Sequence, residues 1–295
     1  MKVEVTKLDK LKRKVKIFTD GEDFGKMKTE IYLEIGKQLK VPGFRPGTAP
    51  LEVLTKHHAK LLKEEYLKKA LPYYYSFGLK EKNIFPASLP HIFDIELDDK
   101  SLTFCAEFEA KPEIEMSGND YKGIKIKDTD TDVKEDEIEK ARESLKDNIK
   151  KIYDKEPDDL SLAKWSGYSN AEKLKEALKA ELHLEKLRQR RQNIEVQISR
   201  HLLDNVKVDV PGSEIKRRSE ELLNSKIYEL KNNGVSDEDI NKYRDDLKEK
   251  LQSVAEHEVK LSYILEAIAK KENINAENNL GHTALGFILS CAKYE

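Results

Sequence analysis

Ten consecutive residues, Val41-Pro42-Gly43-Phe44-Arg45-Pro46-Gly47-Thr48-Ala49-Pro50, hold three of the chain's nine prolines and two of its thirteen glycines. Each proline fixes its own φ and pushes the residue before it towards extended geometry. Gly43 and Gly47 allow the positive φ that tight turns need. The segment therefore reads as a stiff loop that interrupts whatever helix precedes it and holds up Phe44 and Arg45 between its glycines. Those two side chains join apolar area to a forked, always-charged donor, a pairing typical of interface hot spots and of phosphate contacts. On the residues alone the stretch reads equally as a connector between helices whose Phe44 tucks back into the core.

The flanks fit a loop between helices. Val3 and Val5 alternate with polar residues, as do Val15 and Ile17, and each run reads as a half-buried strand. Asp20, with Asp23 three residues on, is placed to cap a helix whose stripe is Phe24, Met27, Ile31 and Ile35. That helix must stop before Pro42. Thr48 and Pro50 suit the start of the next, which carries Leu61, Leu62, Tyr66, Leu67, Ala70 and Leu71 up to Pro72. Tyr73-Tyr74-Tyr75 reads as packing in preference to base stacking. A second strand pair follows, with Phe93, Ile95 and Leu97 on one face, a turn at Asp98-Asp99-Lys100, and Leu102, Phe104, Ala106, Phe108 and Ala110 on one face. Strands, helices and strands in that order predict an α+β N-terminal domain, a four-stranded antiparallel sheet with helices, ending near residue 112.

Beyond it the chain turns acidic. Tyr121 to Ile126 reads as an extended linker and Lys134 to Ile152 as a charged helix. Asn170 to Asp204 reads as one long helix, with Leu174, Leu178, Leu182, Ile194, Ile198 and Leu202 stepping by four. Its Arg188-x-Arg190-Arg191 patch reads as a solvated face in preference to an RNA contact. A corner at Val206 to Pro211 leads to a helix that ends at Asn232-Asn233-Gly234, and Ser236 with Asp239 forms a capping box for another. This last helix carries a seam of Ile240, Tyr243, Leu247, Leu251, Val254, Leu261, Leu265 and Ile268, interrupted at Glu258. These helices are long and charged, which suits antiparallel arms with apolar grooves between them. The whole is an α+β domain followed by an elongated all-α C-terminal domain with helical arms.

Gly43-Phe44-Arg45-Pro46-Gly47-x-x-Pro50 resembles the signature of trigger factor, the bacterial ribosome-associated chaperone family, whose loop reads Gly-Phe-Arg-(Lys or Pro)-Gly-Lys-x-Pro. Thr48 stands where that family usually has Lys, which removes one cationic contact. The resemblance covers roughly residues 1 to 157 and 170 to 290. It implies a ribosome-binding domain over 1–112, with Gly43, Phe44, Arg45, Pro46 and Gly47 docking on a ribosomal protein beside the nascent-chain exit. It further implies a linker with a charged helix over 113–169 and a helical chaperone domain over 170–295. Family members usually carry an FKBP-type prolyl isomerase domain after this first part. Only residues 158 to 169 lie between Pro157 and the helix cap at Asn170, whereas folded domains need at least about 50 residues. The resemblance also implies further helices beyond Glu295, so part of one arm is expected to be missing.

Composition narrows the partners. Hydrophobic residues make up 38% and charged residues 37%, and the net charge is −2. Residues 1 to 60 carry 14 Lys and Arg against 8 Asp and Glu, so the basic end suits an anionic, RNA-rich surface and the acidic remainder does not. Two distant cysteines, Cys105 and Cys291, argue for a reducing compartment, and the lack of an apolar signal region or spanning segment points to the cytoplasm. His257-Glu258 lacks a second His, since residue 261 is Leu, and the adjacent His57-His58 point apart on a helix. No phosphate-cradling loop, nucleophile elbow or Cys-x-x-Cys occurs. The expectation is a binding protein with no catalytic residues, no cofactor and no metal. Its expected partners are the ribosome, with rRNA as a further contact, and unfolded or nascent polypeptides, without membrane or DNA. A prolyl isomerase and a ribosome assembly or RNA-binding factor are the rival readings.

Overall fold

The computed structural model describes residues 1–45, 47–153, 155–275 and 279–295. Its N-terminal part is a four-stranded antiparallel sheet in the order β1-β2-β4-β3, formed by β1 (Lys2–Lys7), β2 (Lys12–Asp20), β3 (His91–Leu97) and β4 (Ser101–Glu109). Between the two strand pairs run α1 (Gly21–Gly36) and α2 (Leu51–Glu81). Long helices follow: α3 (Glu135–Tyr153), the short α4 (Asp159–Trp165), α5 (Ala171–Asn205), α6 (Gly212–Asn232), α7 (Asp237–Lys271) and α8 (Leu280–Ser290). By internal contact the chain divides into two units, Met1–Ile114 with Val208–Tyr263, and Glu115–Lys207 with Ile264–Glu295.

In the first unit, alternation decides which sheet face is covered. Val15 and Ile17 on β2, and Leu102, Phe104 and Ala106 on β4, are fully buried beneath α1 and α2. Tyr66 is the hub of that layer, edge-on to both Phe24 and Tyr32 at centroid distances of 6.0 Å. Gly78 lets α2 lie close to the sheet, because a Cβ there would meet Ile17 and Val3 at 3.2 Å.

Three local expectations change. Phe93, Ile95 and Leu97 do not share a face, because β3 has one residue more than β4 between the pairs Phe93↔Cys105 and Glu96↔Thr103. Asp94 takes up the bulge with φ +52°, and the core side chains of β3 become Ile92 and Leu97. Such a bulge reverses the alternation beyond it. Helix α2 does not end at Pro72 but continues to Glu81. Interior proline costs ~3 kcal/mol, and burial of Tyr74, Tyr75 and Leu79 beyond it offsets that at about 1.5–3 kcal/mol per large side chain. Asp20 stands at the N-cap of α1 but its side chain makes no capping hydrogen bond.

The hairpin of α6 and α7 belongs to the first unit through Tyr263. The Gly234 signal forms a Schellman closure: Val235 N–H donates to Leu230 C=O at 3.1 Å and Gly234 N–H to Lys231 C=O at 3.0 Å. Ser236 accepts from the Asp239 amide at 3.2 Å, while its hydroxyl donates to the Asp239 carboxylate at 2.8 Å. Glu258, an interruption in the sequence seam, is ion-paired with Arg218 of α6 at 2.6 Å. The expected seam of α7 holds in part, with Ile240, Leu265 and Ile268 buried. Ala255 and Val259 are buried, whereas Tyr243 and Val254 are exposed.

In the second unit, residues 158–169 hold α4, not a bare connection. Asp158 caps it by accepting from the Ser161 amide at 2.8 Å, and Leu162 and Ala163 join Ile149 and Leu174 in a small core. Tyr121 to Ile126 is packed as well as partly extended. Tyr121, Ile124 and Ile126 are buried, and β5 (Lys125–Ile126) pairs in parallel with β6 (Lys293–Tyr294). The Tyr121 hydroxyl is pushed up to about 12 by burial and by its hydrogen bond to Glu272. The next residues lie along α5 as a strap. Gln197 bonds both backbone groups of Lys127, Arg190 grips the Asp128 carboxylate with two bonds, His183 meets Thr131 C=O, and Lys186 donates to Asp132 C=O. Arg190 thus serves the fold, while Arg191 and Arg188 pair with Glu195 and Glu185 on the helix surface.

Candidate functional site

The loop between α1 and α2 consists of two successive β-turns. Phe44 N–H donates to Val41 C=O at 3.1 Å, with Pro42 second and Gly43 third in the turn. Gly43 has φ +84°, so the Pro-Gly pair supplies what a type II turn requires. The next turn repeats the pattern: Thr48 N–H donates to Arg45 C=O at 3.0 Å, and Gly47 has φ +81°. The Thr48 hydroxyl also donates to Arg45 C=O, at 2.8 Å. Pro46 lies outside the described residues.

Phe44 and Arg45 are the junction between the turns. Phe44 is 40% exposed, so it does not fold back into the core. Arg45 is exposed, and among the described residues its guanidinium has neither a carboxylate nor a hydrogen-bond acceptor. An exposed phenyl ring and an exposed guanidinium on consecutive residues of a stiff support can meet an apolar surface and an anion or carbonyl of a partner.

The support is built by residues that sequence periodicity left out. Val41 and Ala49 are buried at the two ends of the loop. The end of α1 and the start of α2 approach so closely that a Cβ on Gly36 would come within 2.5 Å of Leu54 Cδ1. Gly47 lies over Lys37, whose Cα would be 3.5 Å from an added Cβ. His58 Nε2 stands 3.1 Å from Lys40 C=O, where α2 departs from helical geometry. The positions of Gly36, Val41 and Ala49 offered a signal, small or apolar residues flanking the Pro-Gly turns. His58 offered none.

The first 145 residues match the family described as bacterial trigger factor protein, and residues 170–285 match the C-terminal part of the same family. The chain belongs to the trigger factor family. The trigger factor of Clostridium kluyveri is 27% identical over 158 residues, which cover 53% of this chain and 36% of that relative. The chain thus matches little more than a third of the length of that relative. The trigger factor of Carboxydothermus hydrogenoformans is 24% identical over 387 residues, covering 98% of this chain and 90% of that protein. That alignment exceeds the 295 residues of the chain and so opens gaps in it. A solved structure of the trigger factor chaperone, described for promiscuous substrate recognition in folding and assembly activities, superposes with a TM-score of 0.53 at 17% identity. It covers 95% of this chain and 87% of its own, and it shares the fold. Residues 146–169, between the two trigger factor matches, hold the end of α3 and all of α4.

Among the described residues, no cluster of three or more His, Cys, Asp or Glu is placed to hold a metal ion, and no helix is long and apolar enough to cross a membrane. Cys105 and Cys291 are free thiols.

Proposed function

We propose that this trigger factor relative is a ribosome-docking chaperone of the holdase type, in the cytoplasm. Gly43, Phe44, Arg45, Pro46 and Gly47 are its contact with a ribosomal protein beside the nascent-chain exit. The observation that carries this reading is the exposure of Phe44 and Arg45 together at the junction of two turns whose ends are buried. A side chain serving only its own core is not displayed in this way. Residues 1–112 form the docking domain in this reading, and the helices from 170 onwards shield emerging apolar segments.

The client surface differs from the full seams suggested by periodicity. Leu174, Ile194, Ile198 and Leu202 of α5 are buried within the fold. What remains exposed is Leu184, Leu187 and Val196 on α5, Tyr228 on α6, and Tyr243 and Val254 on α7. Scattered apolar side chains in a dense field of charge bind unfolded chains weakly and reversibly, at about 25 cal/mol per Å² of apolar surface covered. We assign no isomerase activity to the chain, because residues 146–169 are occupied by α3 and α4.

Two assays test the division. Light scattering of an aggregating client should be suppressed by the chain, and Leu184→Ser with Tyr243→Ser should weaken that suppression. Failure of the chain to suppress aggregation would remove the holdase. A protease-coupled prolyl-peptide assay should stay at its uncatalysed rate, and acceleration above background would restore the enzyme reading.

A further inference from the structure

Helix α2 is interrupted at His58, whose φ of −129° and ψ of 29° lie outside the helical region. Sharp breaks arise at proline, at glycine or serine pairs, or where a side chain intrudes on the hydrogen-bond ladder. The neighbours here are His57 and Ala59, and the helix's proline, Pro72, lies further along. What marks the position is the ring of His58, with Nε2 3.1 Å from the carbonyl oxygen of Lys40. A carbonyl only accepts, so Nε2 carries the hydrogen. Lys40 immediately precedes Val41, the first residue of the first turn. The bond therefore ties the entrance of the loop to the helix that leaves it.

The break divides α2 by task. Beyond it, Leu62, Tyr66 and Ala70 are fully buried and fix the helix against the sheet. Before it, residues 51–57 continue directly from Ala49 and Pro50, and their direction sets the direction of the loop. A continuous helix through residue 58 would impose the core's alignment on this short segment. The interruption lets the segment be set separately, by Leu54, which is buried against the end of α1, and by the Lys40 bond.

We propose that His58 is the positioning residue of the docking loop: its ring N–H, held on the Lys40 carbonyl, fixes the orientation in which Phe44 and Arg45 are presented. This rests on the reading of the loop as the ribosome contact. His58 does not itself touch the partner. The adjacent His57 is exposed and has no such role.

The test uses the full chain with His58→Phe, which keeps a ring but loses the donor, and His58→Gln, which keeps a donor. His57→Phe is the control. In the free chain, amide exchange of Phe44 and Thr48, both bonded within the turns, should quicken about fivefold in His58→Phe, the usual scale for one lost hydrogen bond. Ribosome affinity should fall by a similar factor, with the melting temperature nearly unchanged. His58→Gln should recover most of both, and His57→Phe should match the parent. Unchanged exchange in His58→Phe, or a Gln variant no better than the Phe variant, overturns the proposal. Exchange is read without ribosomes, so it judges His58 separately from docking. Docking is judged by Phe44→Ala with Arg45→Ala.

Discussion

Two glycines set what the loop between α1 and α2 tolerates. Gly43 has φ +84° and open space around its missing Cβ, so substitution there is penalised by backbone conformation alone. Gly43→Ala should cost roughly 1–2 kcal/mol, the penalty of placing an L side chain in left-handed geometry. Thermal unfolding should show a drop of several degrees, and an unchanged midpoint would mean that the first turn is not held in this form. Phe44 and Arg45 are the opposite case, exposed and spare. Their joint replacement by alanine should leave the melting temperature within about 1–2 °C of the parent, as expected for surface positions. Much of this was legible from residues alone. The two x-Pro-Gly-x runs state their turns outright, because proline and glycine act on their own dihedrals. The exposure of Phe44 was not legible, since an aromatic in a turn packs inward as readily as it projects. His58 was invisible because its partner is a backbone carbonyl 18 residues away, which no periodicity encodes.

At the scale of elements, the structure depends on polar groups that close helix ends and hold extended segments. Helix α6 begins at Pro211 without a side-chain cap of its own. Glu109, the last residue of β4, supplies one, accepting from the Gly212 amide at 3.3 Å, the Ser213 amide at 2.9 Å and the Ser213 hydroxyl. Burial alone would raise the Glu109 carboxyl. The bonds from Ser213 and Gly212, with Lys12 nearby, outweigh burial and hold it below the ordinary value of 4.5. A carboxylate with a lowered folded value stabilises the fold above its unfolded value, and that contribution disappears as pH falls through the folded one. Glu109→Gln should therefore unfold at lower urea than the parent at pH 7, by about 1 kcal/mol. The two should converge as pH falls through the lowered value of Glu109, below which both side chains are neutral. Parallel curves at all pH values would refute the capping role. On α5, Arg190→Ala with Gln197→Ala should release the strap. Limited proteolysis within residues 127–132 should then quicken, and unchanged cleavage would show that other contacts hold it. Caps with a nearby donor and acceptor, such as Asn170 and Ser236, were readable from sequence. The Glu109 cap and the strap were not, because their partners come together only in the fold. The β3 bulge and the passage of α2 through Pro72 escaped for a related reason: tertiary burial overrode a local rule.

For the whole molecule, the proposed function separates where the chain binds from what it shields. Docking is assigned to one loop, and client contact to exposed apolar residues on α5, α6 and α7. Loss of the loop's two side chains should then leave aggregation suppression intact. The rival in which the basic first 60 residues bind rRNA through phosphates predicts instead a steep fall in affinity between about 50 and 200 mM salt. The direct measurement is cosedimentation with translating ribosomes of the parent chain and of the chain carrying Phe44→Ala and Arg45→Ala. Two hot-spot side chains at ~2 kcal/mol each amount to roughly a thousandfold in affinity, enough to abolish a micromolar complex. The account predicts that the parent pellets with ribosomes and the variant, folded and still active against aggregation, stays in the supernatant. A folded variant that pellets as the parent does would contradict it.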